Sequence, residues 1–315
     1  FIDTIRRMDE PGAEALTVPS AGTHIIVNKD MGIPEGKGVL ISNAPNGSVA
    51  FISRFERGVL IGTTEEPMEH GEISEDPRTT EEHVAYLLDL ANDTLESDAK
   101  LTRDDVAAVW TGIRPLVRDP KADPSDTKSL SRNHVVTTSD AGLVTIGGGK
   151  WTTFAEMGRD AIDAALAAGA IKESVEELPP LKIIGAHGYA EDLPAVLEQA
   201  YSLPPDVAKH LAESYGDRAP DVLAVTTHGH RERLAKAHPY IEAEVIYACR
   251  HEYACTPTDV LARRTRLAFV DAAAADAALP RVAQLMGREL GWDSAKVQAE
   301  IDSTRKTGLS SAEVT

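Results

Sequence analysis

The sequence predicts an α+β fold, with antiparallel strands in the first half of the chain and helices in the second. Three observations carry that expectation. Short apolar runs separated by turn signals fill the region before residue 150, helix-period patterns dominate after Tyr189, and Pro179-Pro180 stands between the two regimes. The chain has 315 residues, enough for two domains with their own cores, and the expected division is 1–172 and 173–315.

The elements follow in order. Val39-Leu40-Ile41 and Val49-Ala50-Phe51-Ile52 flank Pro45-Asn46-Gly47, and an Asn-Gly between apolar runs is a hairpin signal. Val59-Leu60-Ile61 returns after Arg57-Gly58, giving an antiparallel meander of three strands, with His24-Ile25-Ile26-Val27 as candidate fourth. Thr79 and Glu82 read as a capping box opening a helix that carries Val84, Leu87, Leu88, Ala91 and Leu95 at helical spacing. Residues 106–117 return to strand character and are expected to end near Pro115, followed by a polar, proline-bearing loop over 119–130. Residues 134–138 and 143–146 form a second hairpin about Ser139-Asp140-Ala141-Gly142. Gly147-Gly148-Gly149-Lys150 then runs into a helix through Met157, Ala161, Ile162, Ala165 and Leu166. In the second half, Val207, Leu211 and Tyr215 share a face that stops at Gly216, and further helices are expected over 259–275 and 279–290.

Bulk properties exclude some functions. Lys and Arg total 32 against 50 Asp and Glu, a net charge of −18, which repels nucleic acid. The two cysteines, Cys249 and Cys255, make no disulfide framework, and their spacing is not that of a metal site. No apolar stretch approaches the ~20 residues of a membrane-spanning helix, and no signal peptide is visible. Because the chain opens on Phe1, its start is expected to be a truncated or processed end.

Chemistry-bearing residues fall into four groups. The stretch Leu143–Ala161 reads equally as an anion- or flavin-contacting turn at a helix N-terminus and as a tight turn whose glycines serve the backbone. It is neither a Walker A loop nor a G-x-G-x-x-G fingerprint, and the absence of that fingerprint anywhere rules out a complete dinucleotide-binding half in this chain. The second group is His24, Arg114, Arg132 and Lys150 near strand ends; each alone reads as a structural or surface group, and only convergence in space makes them a site. Arg263, Arg264 and Arg266 are expected in ion pairs with Glu242, Glu244, Glu252 and Asp259. His228 and His230 read as solvated loop residues rather than metal ligands.

These residues resemble a family. Pro19–Val27, Leu60–Thr64, Trp110–Leu116, Gly148–Thr153, Pro239–Val245 and Asp259–Phe269 occur in the order seen in FAD-dependent glycerol-3-phosphate dehydrogenases, with a tail similar to the mitochondrial type. The resemblance implies oxidation of sn-glycerol 3-phosphate to dihydroxyacetone phosphate, with hydride passing to FAD and electrons to quinone. It implies that the first part is an antiparallel-sheet substrate cap plus the returning part of an FAD-binding, glutathione-reductase-like domain, and that the second is an all-helical C-terminal domain. By matching position to position, His24 looks like the catalytic base and Arg114 like the second catalytic residue, over flavin and substrate. Arg132 and Lys150 look like the cations that grip the substrate phosphate. Gly148, Gly149, Lys150, Trp151 and Thr152 fall where the family backbone approaches FAD. A peripheral site on the mitochondrial inner membrane is implied, and a homodimer is compatible with the family. No metal is expected.

There are departures. Ala155 stands where the family usually has Arg, Glu65 where Asp is common, and Cys255 where Arg is frequent. No D-x-[DN]-x-[DN]-G calcium loop follows Leu290. The family's glycine-rich FAD fingerprint and one more phosphate-gripping arginine would precede Phe1, so weak or no flavin binding is expected of the chain alone. An oxidase passing electrons to oxygen, and a non-catalytic fragment unable to hold FAD, are the competing readings.

Overall fold

The structure is a computed structural model that describes residues 1–34, 36–45, 47, 49–55, 58–69, 73–74, 77–95, 100–118, 130–131, 133–172, 181–225 and 231–307. Its first region contains α1 (Ile2–Asp9), β1 (Thr17–Val27), β2 (Gly38–Ile41), β3 (Ala50–Phe55), β4 (Gly58–Gly62), β5 (Glu66–Pro67), α2 (Glu81–Thr94), β6 (Val106–Arg118), β7 (Leu130–Ser131), β8 (His134–Thr138), β9 (Val144–Gly148) and α3 (Phe154–Ala167). The main sheet runs β2-β3-β4-β1-β6-β7, with β5 also paired to β1, and its pairings are antiparallel. The expected meander is β2-β3-β4, and His24–Val27 extends it as part of β1. Gly47, between β2 and β3, takes φ +80°, a conformation open to glycine.

β1 is the spine. Its partner β6 follows it from Thr17↔Val117 to Val27↔Val106. Ala21, Ile25 and Val27 are buried on one face; Ser20 and Ile26 are buried on the other, which also carries His24. A strand buried on both faces needs cover on both. On one side α2 lays Val84, Leu87, Leu88 and Ala91 against Ile25, Val27, Ile52 and Ile61. Leu87 and Ile61 are fully buried, so truncating either to Ala is expected to cost about 2–5 kcal/mol. On the other side Phe269 meets Trp110 of β6 at 4.8 Å between ring centroids. Arg266 lies 5.7 Å over the Phe55 ring.

From residue 193 the described chain is helical: α4 (Leu193–Tyr201), α5 (Pro205–Tyr215), α6 (Ala219–Ala224), α7 (Glu242–His251), a π-helical turn (Asp259–Arg264), α8 (Leu267–Val270), α9 (Ala272–Leu290) and α10 (Ser294–Thr307). Two cores result. Leu197, Val207, Leu211, Val222 and Ile241 form one, and Val245, Leu261, Leu279, Val282, Met286 and Ile301 form the other. No described helix is long and apolar enough to cross a membrane.

Several expectations are corrected. The cap of α2 is Thr80, whose side chain accepts from the His83 amide at 3.3 Å; Thr79 instead bonds Thr111 Oγ1 at 2.9 Å, one residue too early to reach the helix. β6 runs through Pro115 to Arg118, with Pro115 facing Pro19 across the ladder so that neither needs an amide donor there. The 259–275 helix is broken, because Arg266 turns to φ +58° and Asp271 caps α9 through the Ala274 amide. Accordingly α9 begins before the expected 279 and carries Pro280 inside it. Arg263 pairs with Asp259 and Arg264 with Glu252 at 3.4 Å, as expected, whereas Glu242 pairs with Arg281 and Glu244 with His210. Pro179-Pro180, His228, His230 and most of the 119–130 loop lie outside the described residues.

Candidate active site

Antiparallel register brings distant residues into one row. Gly62 of β4 faces His24 of β1, His24 faces Trp110 of β6, and Phe51 of β3 faces Gly62. The row therefore reads Phe51-Gly62-His24-Trp110 across four strands on one face. His24 stacks on the Trp110 indole, 5.3 Å between centroids and 9° between planes, and lies 5.8 Å from the Phe51 ring. Gly62 makes the fourth place empty: a Cβ there would stand 2.2 Å from His24 Cδ2.

Arg114 belongs to the same face. It opposes Ser20, and its guanidinium leans over Gly22, where a Cβ would come within 2.2 Å of Nη2. Gly22 is one pleat from His24. Arg114 donates to Thr63 Oγ1 at 2.6 Å and to the Ala21 carbonyl at 3.4 Å. Burial, with the Arg114 charge added, pulls the His24 pKa down to about 4, so the imidazole is neutral near pH 7. Its Nδ1 is buried and has no hydrogen-bond partner among the described residues.

The glycine turn closes one side of the cavity. Gly148 and Gly149 take φ +72° and +77°, and side chains there would strike Val117 and the Asn133 carbonyl in one case, Met157 and His134 in the other. His134 of β8 holds α3 by bonding Asp160 at 2.6 Å. Lys150 is exposed and precedes the short helical turn Trp151–Thr153. A cavity of about 400 Å³ is lined by Arg114, Lys150, Gly148, Gly149, Thr63 and Glu65 together with apolar Val49, Ile113, Pro115 and Leu116. A second, apolar hollow of about 250 Å³ lies beyond the turn against Trp151, Phe154, Met157 and Gly158.

The fold thus gathers Arg114, Lys150, Gly148 and Gly149 around one cavity, with His24 beside Arg114. Arg132 lies outside the described residues. Trp151 is 90% exposed and lines the second hollow, and exposed Thr152 lines neither. Sequence reasoning missed Thr63 and Glu65 as cavity residues and Trp110 as the platform for His24. The Gly-Thr-Thr and Trp-Thr-Gly triplets were the available signals, since a glycine in a strand marks close approach. Among the described residues no group of three or more His, Cys, Asp or Glu side chains could hold a metal. Cys249 and Cys255 are free thiols, and burial pushes the Cys249 thiol up to about 11.

Residues 1–155 match the family described as FAD dependent oxidoreductase, and residues 180–297 match the C-terminal domain of alpha-glycerophosphate oxidase. The mitochondrial glycerol-3-phosphate dehydrogenases of Bos taurus and Homo sapiens are 42% and 41% identical over 312 residues, covering 97% of this chain. The chain spans 42% of the length of each of those relatives. The glycerol-3-phosphate dehydrogenase of Bacillus halodurans, solved in complex with FAD, superposes with a TM-score of 0.72 over 100% of this chain and 62% of that one, and at 23% identity it shows likeness of fold. Similarity to these mitochondrial glycerol-3-phosphate dehydrogenases thus runs through 97% of the chain.

Proposed function

We propose that this chain supplies the substrate-oxidising face of a glycerol-3-phosphate dehydrogenase, which converts sn-glycerol 3-phosphate to dihydroxyacetone phosphate and passes electrons through FAD to quinone. The observation that carries the reading is the neutral, buried His24 beside Arg114, next to a cavity that ends at the glycine turn and Lys150. His24, as a neutral imidazole, accepts the proton of the secondary hydroxyl. Arg114, already fixed by Thr63, holds the developing alkoxide charge. Lys150 and the backbone amides at the turn take the phosphate, with Arg132 as the further cation on family resemblance.

When bound, FAD supplies the two-electron acceptor for the hydride. The residues present fit it on one side: two glycines whose side chains would be excluded, a turn opening into a helix, and an apolar hollow with Trp151 exposed beside it. Gly148, Gly149, Lys150, Trp151 and Thr152 would meet it there. The same reading makes residues 1–172 the substrate-binding cap and the C-terminal part of a glutathione-reductase-like FAD-binding domain, and 173–315 the helical C-terminal domain. It places the protein in the mitochondrion, peripheral to the inner membrane, as a homodimer. The relatives' names support the organelle.

The test uses the protein expressed from its own gene: dye-linked oxidation of glycerol 3-phosphate, with dihydroxyacetone phosphate as product. Bound flavin without turnover sinks the reading. An oxidase is the second reading, because the matched C-terminal domain takes its description from alpha-glycerophosphate oxidase. Stoichiometric peroxide would establish it instead.

A further inference from the structure

We propose that Glu65 is a specificity-determining residue of the cavity, accepting a hydrogen bond from the terminal hydroxyl of a phosphorylated three-carbon polyol. The proposal rests on the functional reading above and deepens it. The groups lining the cavity sort by what they can offer. Lys150 and Arg114 are donors only, as are the backbone amides of the glycine turn. Val49, Ile113, Pro115 and Leu116 offer apolar surface. The Thr63 hydroxyl donates to the Thr64 carbonyl at 2.9 Å and accepts from Arg114, so its proton is committed. Glu65 brings the only carboxylate among the described lining residues.

The chain geometry explains its place. After β4 ends at Gly62, Thr63 and Glu65 line the cavity, while Thr64 between them is buried and accepts from the Thr23 amide at 2.9 Å. A phosphate presents acceptors and negative charge, so it is repelled by a carboxylate and drawn to Lys150 and the glycine turn. A hydroxyl presents a proton, which a carboxylate takes in a charge-assisted bond. With four lone-pair sites, a carboxylate serves such a hydroxyl alongside any cation it also meets. The lining thereby sorts the substrate's groups by chemistry: its anionic group goes to Lys150 and the glycine turn, and its terminal hydroxyl to Glu65.

The discriminating probe is propane-1,2-diol 1-phosphate of matching stereochemistry, which keeps the secondary alcohol and the phosphate and lacks the terminal hydroxyl. In the flavin-loaded protein expressed from its own gene, kcat/KM with a dye acceptor and dissociation constants by calorimetry are measured for this compound and for glycerol 3-phosphate. The wild type is expected to favour glycerol 3-phosphate by about ten- to a hundredfold, the worth of one hydrogen bond to a charged group. Glu65→Ala and Glu65→Met are each expected to bring that ratio close to one, and either variant decides if the other does not fold. A folded variant that keeps the wild-type ratio overturns the proposal, as does a wild type that oxidises both compounds equally. A wild type that oxidises neither overturns the functional reading itself and is thereby distinguishable.

Discussion

His24 in the sheet and His210 in the helical region are both largely shielded from water, and both lie against an aromatic ring. Their polar surroundings differ. His210 is held at both nitrogens, Nε2 by Glu244 at 2.7 Å and Nδ1 by Ser214 at 3.2 Å, and Glu244 in turn accepts from Tyr215 at 3.1 Å and from the Ile241 amide at 2.7 Å. His24 is held by stacking on Trp110, and its Nδ1 meets no hydrogen-bond partner among the described residues. A buried polar group without a partner is costly. The helical region avoids that cost at His210 by closing the network within itself, whereas the sheet carries it at His24, beside Arg114. The glycines at 22 and 62 serve the same end, since each leaves the space that Arg114 and His24 occupy.

The comparison can be broken at several points. The largest expected effect is at His24: His24→Asn should lower kcat/KM by about 10²–10⁴-fold, the range of a general base, with little loss of stability. The wild-type acid limb of kcat/KM should fall near pH 4, because activity needs the neutral ring and the folded pKa is depressed to about 4. The same depression means that the unfolded chain takes up the proton first, so wild-type stability drops as pH falls below about 6.5 towards 4, and His24→Asn should remove that slope in urea titrations. An acid limb at an ordinary histidine value would show that the ring is solvated in the working protein.

Next is Glu244→Ala, which leaves His210, Tyr215 and the Ile241 amide without their acceptor. Urea unfolding should show a loss of about 3–5 kcal/mol, while kcat per folded molecule stays unchanged. A fall in kcat at full folded content would mean that the helical network also serves the site. The smallest effect concerns Asp3, which accepts from the Leu16 and Thr17 amides, the Thr17 hydroxyl and Arg6. Burial alone would raise its pKa, but these bonds outweigh it and hold the carboxyl at about 2. Its contribution, about 2 kcal/mol, is present above roughly pH 4 and lost as pH falls through about 2; Asp3→Asn should flatten that part of the stability curve.

The local order of elements was written in the sequence. The meander, the 134–148 hairpin and the helix after the glycines follow from alternation, turn residues and helical spacing, all set by near neighbours. The resemblance likewise picked out His24, Arg114 and Lys150 one by one. Boundaries were read less well where a tertiary partner overrode a local cue: Pro115 continues its strand because Pro19 faces it, and Thr79 is drawn from its capping role by Thr111. What the sequence could not supply was the row Phe51-Gly62-His24-Trp110, nor the meeting of Arg114, Glu65 and the glycine turn around one cavity. Those residues lie tens of positions apart, and only long-range strand register, fixed by burial of β1 on both faces, decides that they meet.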